Sequence, residues 1–229
     1  MLRSLLLLPV LALPLATIAQ QPAPTIRQMF VQDQRERGVP YADNAHDMLP
    51  DAEAKKLPNV SDYDMGQHDL ARRAQTFRLL HDGKLKTAED FRDAAIIFQH
   101  SSIPDDFLLA HVLAVDAMAK GDTSGYVRDL TAVTLDRYLT WSGKKQIFGT
   151  QYNDARFAFS LQHPKDKTLE KDKNAIPASA QTLEPYNKTL LPDAIRADFC
   201  VPPQKQQTDY ITAANAGKSV DLPNVQHCQ

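Results

Sequence analysis

The stretch that decides the fold is 87–143, TAEDFRDAAIIFQHSSIPDDFLLAHVLAVDAMAKGDTSGYVRDLTAVTLDRYLTWSG. Breaks at Pro104 and Gly121 divide it into three periodic segments, which predict helices at about 87–100, 106–120 and 124–141. The middle segment is apolar on nearly every side, which is typical of a helix at the centre of a structure. Its apolar residues are Phe107, Leu108, Leu109, Val112, Leu113, Val115 and Met118.

Capping signals predict where helices begin on the N-terminal side of this stretch. Thr87 opens a T-A-E-D sequence that resembles a capping box, with Asp in place of the usual Glu. Thr25 is a suitable cap for a helix that runs to Arg37. A further helix over about 65–81 carries four apolar residues, Leu70, Ala74, Phe77 and Leu80.

After Gly143 the apolar period changes from that of a helix to that of a strand. A short strand at 146–148 and alternating residues at 155–162 predict a small β-hairpin at about 145–162. Beyond it we expect a solvated loop, a short helix and a proline- and glutamine-rich tail, at 163–182, 185–198 and 201–229. The sequence thus predicts a mainly α fold: a compact helical bundle of five to six helices over 25–200, with a small β-hairpin after the fifth helix.

The first residues read as a secretory signal peptide. Arg3 supplies the positive charge, an apolar segment follows, and small residues favour cleavage after Ala19. A membrane anchor needs about 20 uninterrupted apolar residues, and Pro9 and Pro14 interrupt this segment. The sequence predicts a signal peptide at 1–19, a loose mature N-terminus at 20–24, and export to the periplasm or outside the cell.

Charge and motifs exclude several classes of partner. The 26 basic and 28 acidic residues give a net charge of −2, which provides no electrostatic case for nucleic acid or for a membrane surface after signal cleavage. Neither a glycine-rich phosphate loop nor an H-E-x-x-H motif occurs. We therefore predict no cofactor and no metal, and an unknown small molecule or protein as partner.

The cysteine count predicts one disulfide. Cys200 and Cys228 are the two cysteines of the chain, and an even number in an oxidising compartment favours a bridge. Two unpaired thiols on a frayed tail are the alternative.

Charged residues interrupt the apolar faces of three predicted helices. Asp33 and Arg37 fall on the face of Ile26, and Arg137 stands in the middle of an apolar stripe. In the predicted helix at 106–120, His111 and Asp116 lie on faces that are otherwise apolar. Because an unpaired buried charge costs several kcal/mol, we expect Arg37 or Arg137 to pair with Asp33 or Asp116. The same residues suit either a core ion-pair network or a polar pocket that binds a ligand.

His100 stands at the end of a predicted helix and has two interpretations. A histidine there interacts favourably with the helix C-terminus, and it is also a candidate general base at a cleft. Ser101 and Ser102 follow it without a G-x-S-x-G motif, so a serine hydrolase is weakly supported.

Four ordered motifs resemble those of a bacterial domain-of-unknown-function family over about 26–151. They are Asp33-Gln34-x-x-Arg37, Gln99-His100, Leu135-Asp136-Arg137 and Gly143-x-x-Gln146-x-Phe148-Gly149-Thr150-Gln151. The resemblance implies no activity. It adds seven residues to one shared polar site: Gln34, Gln99, His100, Asp136, Gln146, Thr150 and Gln151. Lys144-Lys145 departs from the pattern, in which a proline precedes the glutamine.

Three functions are consistent with these observations. The first is binding of a small polar molecule or peptide through the polar cluster. The second is hydrolysis, with His100 as general base and Arg37 or Arg137 stabilising an anion. In the third, the cluster is a structural core network and the function lies on an outer surface.

Overall fold

The computed structural model describes residues 23–164, 166–221 and 228. The predicted signal peptide lies outside these residues, as does most of the predicted loose N-terminus. Among the described residues, no helix combines the length and apolarity that crossing a membrane requires.

The described part of the chain is mainly helical, as predicted, with one small antiparallel sheet of two strands. The helices are α1 Ile26–Glu36, α2 Asp51–Ala54, α3 Asp62–His81, α4 Ala88–Gln99, α5 Pro104–Ala119, α6 Gly125–Trp141, α7 Ala155–Gln162, α8 Glu170–Ala175, α9 Asp193–Asp198 and α10 Gln204–Asn215. The strands are β1 Asn153–Asp154 and β2 Gln181–Thr182.

Local capping decides where the main helices begin. The Thr25 hydroxyl accepts a hydrogen bond from the Gln28 backbone N–H, and the Gln28 side-chain oxygen accepts one from the Thr25 backbone N–H. Thr87 and Asp90 form the same reciprocal pair at α4, so the predicted capping box is confirmed. These bonds satisfy N–H groups that a helix start leaves without partners.

The central helix is α4 rather than α5. It packs against α1, α3, α5 and α6, and every residue from Asp93 to Phe98 is buried. The prediction that the apolar helix α5 lies at the centre is wrong, because Leu108, Val112 and Val115 are exposed. The α5 helix instead buries a face rich in alanine, and small side chains there let it pack closely against its neighbours.

The β-hairpin predicted at 145–162 is wrong in position. Residues 155–162 form α7, whose first turn is capped by the Asp154 carboxylate on the Phe157 N–H. The strand beside it, β1, pairs with the distant β2. Ala158 is the most buried residue of this helix, at 1 % exposure. The Asp154 cap and the burial of Ala158 favour a helix here, although the alternating pattern of the sequence predicts a strand.

The C-terminal part is more ordered than the sequence predicted. The segment predicted as a loop at 163–182 contains α8. The helix predicted near 185–198 is shorter in the structure, where it is α9, and the predicted tail contains α10. Gln207 on α10 is fully buried and donates to the Phe148 and Pro202 carbonyls. The predicted Cys200–Cys228 disulfide is present, with an S–S distance of 2.01 Å. Within the described residues, α10 therefore packs against the helical body, and the disulfide ties Cys228 to Cys200.

Candidate functional site

Asp33 lies at the centre of a buried polar cluster. Its carboxylate accepts hydrogen bonds from Arg37 Nη1 at 2.8 Å and from Gln34 Nε2 at 2.9 Å. His100 Nδ1 lies 3.0 Å from Oδ2 of the same group. The predicted pairing of Arg37 with Asp33 is therefore confirmed.

Helix α3 contributes the other half of the cluster, which the sequence analysis missed. Arg37 Nη2 contacts Asp69 at 2.6 Å, and Arg72 contacts Asp69 at 2.7 Å and Glu36 at 2.8 Å. Both terminal nitrogens of Arg37 are thus occupied by acidic partners. The missed signal was the row of Asp69, Arg72 and Thr76, whose spacing places three polar residues on one face. This face is buried, whereas the apolar Leu70 and Phe77 are exposed.

The charge of Asp33 determines the tautomer of His100. Burial by itself would raise the pKa of Asp33, but the hydrogen bond from His100 and the charges of His100 and Arg37 hold that pKa below its ordinary value. Because an ionised carboxylate only accepts hydrogen bonds, Nδ1 of His100 carries the proton toward it. Nε2 is the ring nitrogen left for a ligand.

His100 lines an open cleft of about 310 Å³, a volume suited to a small molecule. We call this space the arginine cleft. Its walls come from the end of α4, from α5, α6 and α7, and from the segment around Gln151. The described residues that line it are Arg37, Gln99, His100, Ser101, Phe107, Arg137, Trp141, Gln151, Asn153 and Phe157, and none of these is acidic.

Arg137 is the cation of this cleft that has no acidic partner among the described residues. Its Nε donates to Gln151 Oε1 at 3.2 Å and its Nη1 donates to the Gln99 carbonyl at 2.9 Å. Its guanidinium lies over the ring of Phe107, 5.8 Å from the centroid. Burial lowers the pKa of Arg137, and no nearby carboxylate opposes that effect.

The alternative pairing that the sequence suggested for Arg137 does not form. Asp33 is occupied by Arg37 and His100, and Asp116 lies near the surface, 3.6 Å from Lys120. The expectation that Asp116 is a core residue is wrong, because its side chain is 39 % exposed. Nη2 of Arg137 remains without a hydrogen-bond partner in the described part of the chain.

Asp136 does not line the arginine cleft but organises the loop that leads to it. Its carboxylate accepts four successive backbone N–H groups, those of 147–150, at distances of 2.7–3.1 Å, and the Thr150 hydroxyl at 3.0 Å. Burial raises the pKa of Asp136, and these hydrogen bonds oppose the rise. Gln146, also fully buried, accepts the Gln151 N–H at 2.9 Å. Asp136, Gln146 and Thr150 therefore position Gln151 beside Arg137.

The remaining predicted residue lies apart from the cluster. Nδ1 of His111 is 3.0 Å from the Thr131 carbonyl, on the α5–α6 interface. The structure thus brings together Asp33, Gln34, Arg37, Gln99, His100, Arg137 and Gln151, and separates His111 from them.

Three aromatic residues of the cleft were missed as site residues. The Trp141 ring packs edge-on against Phe107 at 5.5 Å, and it packs at a tilt against Phe157 at 5.2 Å. Phe157 lies in the segment predicted as a strand, and the apolar character of all three rings is also that of ordinary core residues. Trp141 and Phe157 form an apolar part of the cleft wall, and the buried ring of Phe107 packs behind Trp141.

Comparison of the chain with protein-family models, curated proteins and solved structures gave no match. The resemblance over 26–151 therefore stays a prediction. In the described part of the chain, no three His, Cys, Asp or Glu side chains are grouped in a way that would hold a metal ion.

Proposed function

We propose that this protein binds a small organic anion in the arginine cleft. The observation that carries this proposal is the Arg137 guanidinium, which borders the cleft without an acidic partner among the described residues. A partly desolvated charge without a counterion is costly, and an anionic ligand would offset that cost. Arg37 is less suited to this role because Asp33 and Asp69 already neutralise it.

The composition of the cleft favours a monoanion with an apolar body. One uncompensated guanidinium matches a carboxylate better than a phosphate monoester, which carries about −1.5 to −2 charges. The Gln99 side chain and His100 Nε2 provide further polar contacts. Trp141 and Phe157, which are half-buried and lie against each other, offer an apolar wall for the rest of the ligand.

The only tryptophan of the chain, Trp141, lines the arginine cleft and reports its occupancy. We expect phenylacetate to cause a saturable change in tryptophan fluorescence. Phenylacetamide, which has the same ring and no charge, should bind at least about tenfold more weakly because it lacks the charge-assisted hydrogen bond. Equal binding of the two compounds, or no saturable change with either, would count against the proposal.

Hydrolysis is the second candidate function, and the contact between Asp33 and His100 favours it. A carboxylate that orients Nδ1 leaves Nε2 to act as a general base, as in catalytic histidine–carboxylate pairs. Ser101 is a poor nucleophile because its hydroxyl donates to Asp106 at 2.6 Å. The attacking group would be water, which gives a proton to His100 Nε2 as it adds to the ester carbonyl, while Arg137 stabilises the resulting oxyanion. Collapse of this intermediate breaks the C–O bond of the ester, and the alcohol leaves with the proton returned by His100.

Under the hydrolase hypothesis, His100→Gln should lower the turnover of carboxylate-bearing esters by about 10²–10⁴-fold, the usual contribution of a general base. The melting temperature should change little, because Arg37 and Gln34 still contact Asp33. His111→Gln, outside the cleft, is the matched control. No turnover by the wild-type protein across a panel of such esters would exclude this candidate.

The purely structural interpretation accounts for only part of the cluster. Asp33, Glu36 and Asp69 form ion pairs with Arg37 and Arg72, and these pairs fix α1 against α3. A core network has no need of a half-buried cation without an acidic partner at the wall of a cleft, so the position of Arg137 favours binding.

A further inference from the structure

A second groove continues from the arginine cleft along α3. His100 and Ser101 line both spaces, which therefore meet at these two residues. We call the second space the α3 groove. Its other described lining residues are Asp62, Tyr63, Gly66, Gln67, Asp69, Leu70, Arg73 and Ser102.

One wall of the α3 groove is a regular stripe of a single helix. Tyr63, Gly66, Gln67 and Leu70 have the spacing of neighbours on one helix face. Tyr63 is 75 % exposed and Leu70 is 53 % exposed, so the stripe presents an aromatic and an aliphatic side chain on either side of a glycine.

Gly66 has no structural reason to be a glycine. It lies inside α3, where glycine destabilises a helix relative to alanine. A Cβ atom built at this position would meet no described protein atom within 4 Å. Glycine permits the close approach of a ligand backbone, and Gly66 opens onto the groove.

We infer that the ligand of this site is a short peptide with a free C-terminal carboxylate, which runs from the arginine cleft past His100 into the α3 groove. This inference rests on the proposed function, since the carboxylate is the anion bound by Arg137. The terminal side chain packs against Trp141, and the peptide backbone passes over Gly66 between Tyr63 and Leu70. Asp62, which has no ion pair among the described residues, suits the N-terminal ammonium group.

The test compares two probes by isothermal titration calorimetry with the full mature chain: N-acetyl-phenylalanine and the tetrapeptide Gly-Gly-Gly-Phe. We expect the tetrapeptide to bind about tenfold more tightly, since it gains the contacts of the α3 groove. Amidation of its C-terminus should abolish binding.

Gly66→Leu should remove the advantage of the tetrapeptide and leave the affinity for N-acetyl-phenylalanine unchanged. The melting temperature should stay the same or rise, because leucine favours the helix; a purely structural role for Gly66 predicts the opposite. Ala71→Leu, at an exposed position of α3 that does not line the groove, is the matched control and should leave both affinities unchanged.

The outcomes separate the two proposals. Equal affinity for both probes would overturn the peptide inference and leave anion binding intact. Binding of a uronic-acid oligosaccharide without binding of either phenylalanine probe would also overturn it. If phenylacetate, the probes and the oligosaccharide all fail to bind, both proposals fall.

Discussion

Asp136→Ala is expected to lower the free energy of unfolding by about 3–5 kcal/mol, the range for removing one member of a buried charged network. Its carboxylate is the acceptor for four successive backbone N–H groups, those of 147–150. Without it, these donors lose their partner in a buried loop that water reaches poorly. Urea denaturation at pH 7 measures the loss. Because Gln151 follows this loop, phenylacetate binding should weaken as well.

Asp129→Asn is the matched control, since Asp129 lies on the same helix and makes no hydrogen bond or ion pair with a described residue. Burial raises the pKa of Asp129 to about 6. The folded state therefore holds a proton more tightly than the unfolded state, and wild-type stability falls as pH rises from about 4 to 6. Asparagine cannot ionise, so the stability of the variant should match that of the wild type near pH 4 and exceed it above pH 6.

A loss of stability below about 1 kcal/mol for Asp136→Ala, typical of an ordinary surface site, would contradict the role given to Asp136.

Arg137→Gln is expected to reduce the affinity for phenylacetate by about 10–100-fold, because one charge-assisted hydrogen bond to a carboxylate contributes about 1.5–3 kcal/mol. Its effect on stability should be small, within about 1 kcal/mol. Breaking a buried ion pair would instead cost about 3–5 kcal/mol. Fluorescence titration and urea denaturation of the same preparation measure the two quantities.

Arg78→Gln provides the control for the loss of one positive charge. Arg78 is exposed on α3 and contacts Gln75 of the same helix, so both affinity and stability should equal those of the wild type. A large loss of stability in Arg137→Gln with retained binding would favour the structural interpretation and refute anion binding at this position.

The helical elements could be predicted because their signals are local. Thr25 and Thr87 cap their helices through partners three residues away. The pairing of Asp33 with Arg37 could also be predicted, because residues four apart meet on one helix face. These interactions depend on sequence spacing, which can be read without the tertiary structure.

Packing across the chain could not be predicted in the same way. Asp69 and Arg72 belong to the cluster because the polar face of α3 packs inward. There it forms ion pairs with Glu36 and Arg37 at the end of α1. The 155–162 segment is compatible with a strand pattern, and the Asp154 cap together with burial of Ala158 favours the helix.

The sequence by itself determined the mainly α class, the capped helices, the Asp33–Arg37 pair and the two cysteines that bond. The tertiary structure alone decided that Arg37 is neutralised, that Arg137 borders an open cleft without an acidic partner among the described residues, and that Trp141 lies beside it. The physical reason is that helical phase gives the direction of a side chain relative to its own helix. The counterion of a buried charge, or the lack of one, depends on which distant helix that direction meets.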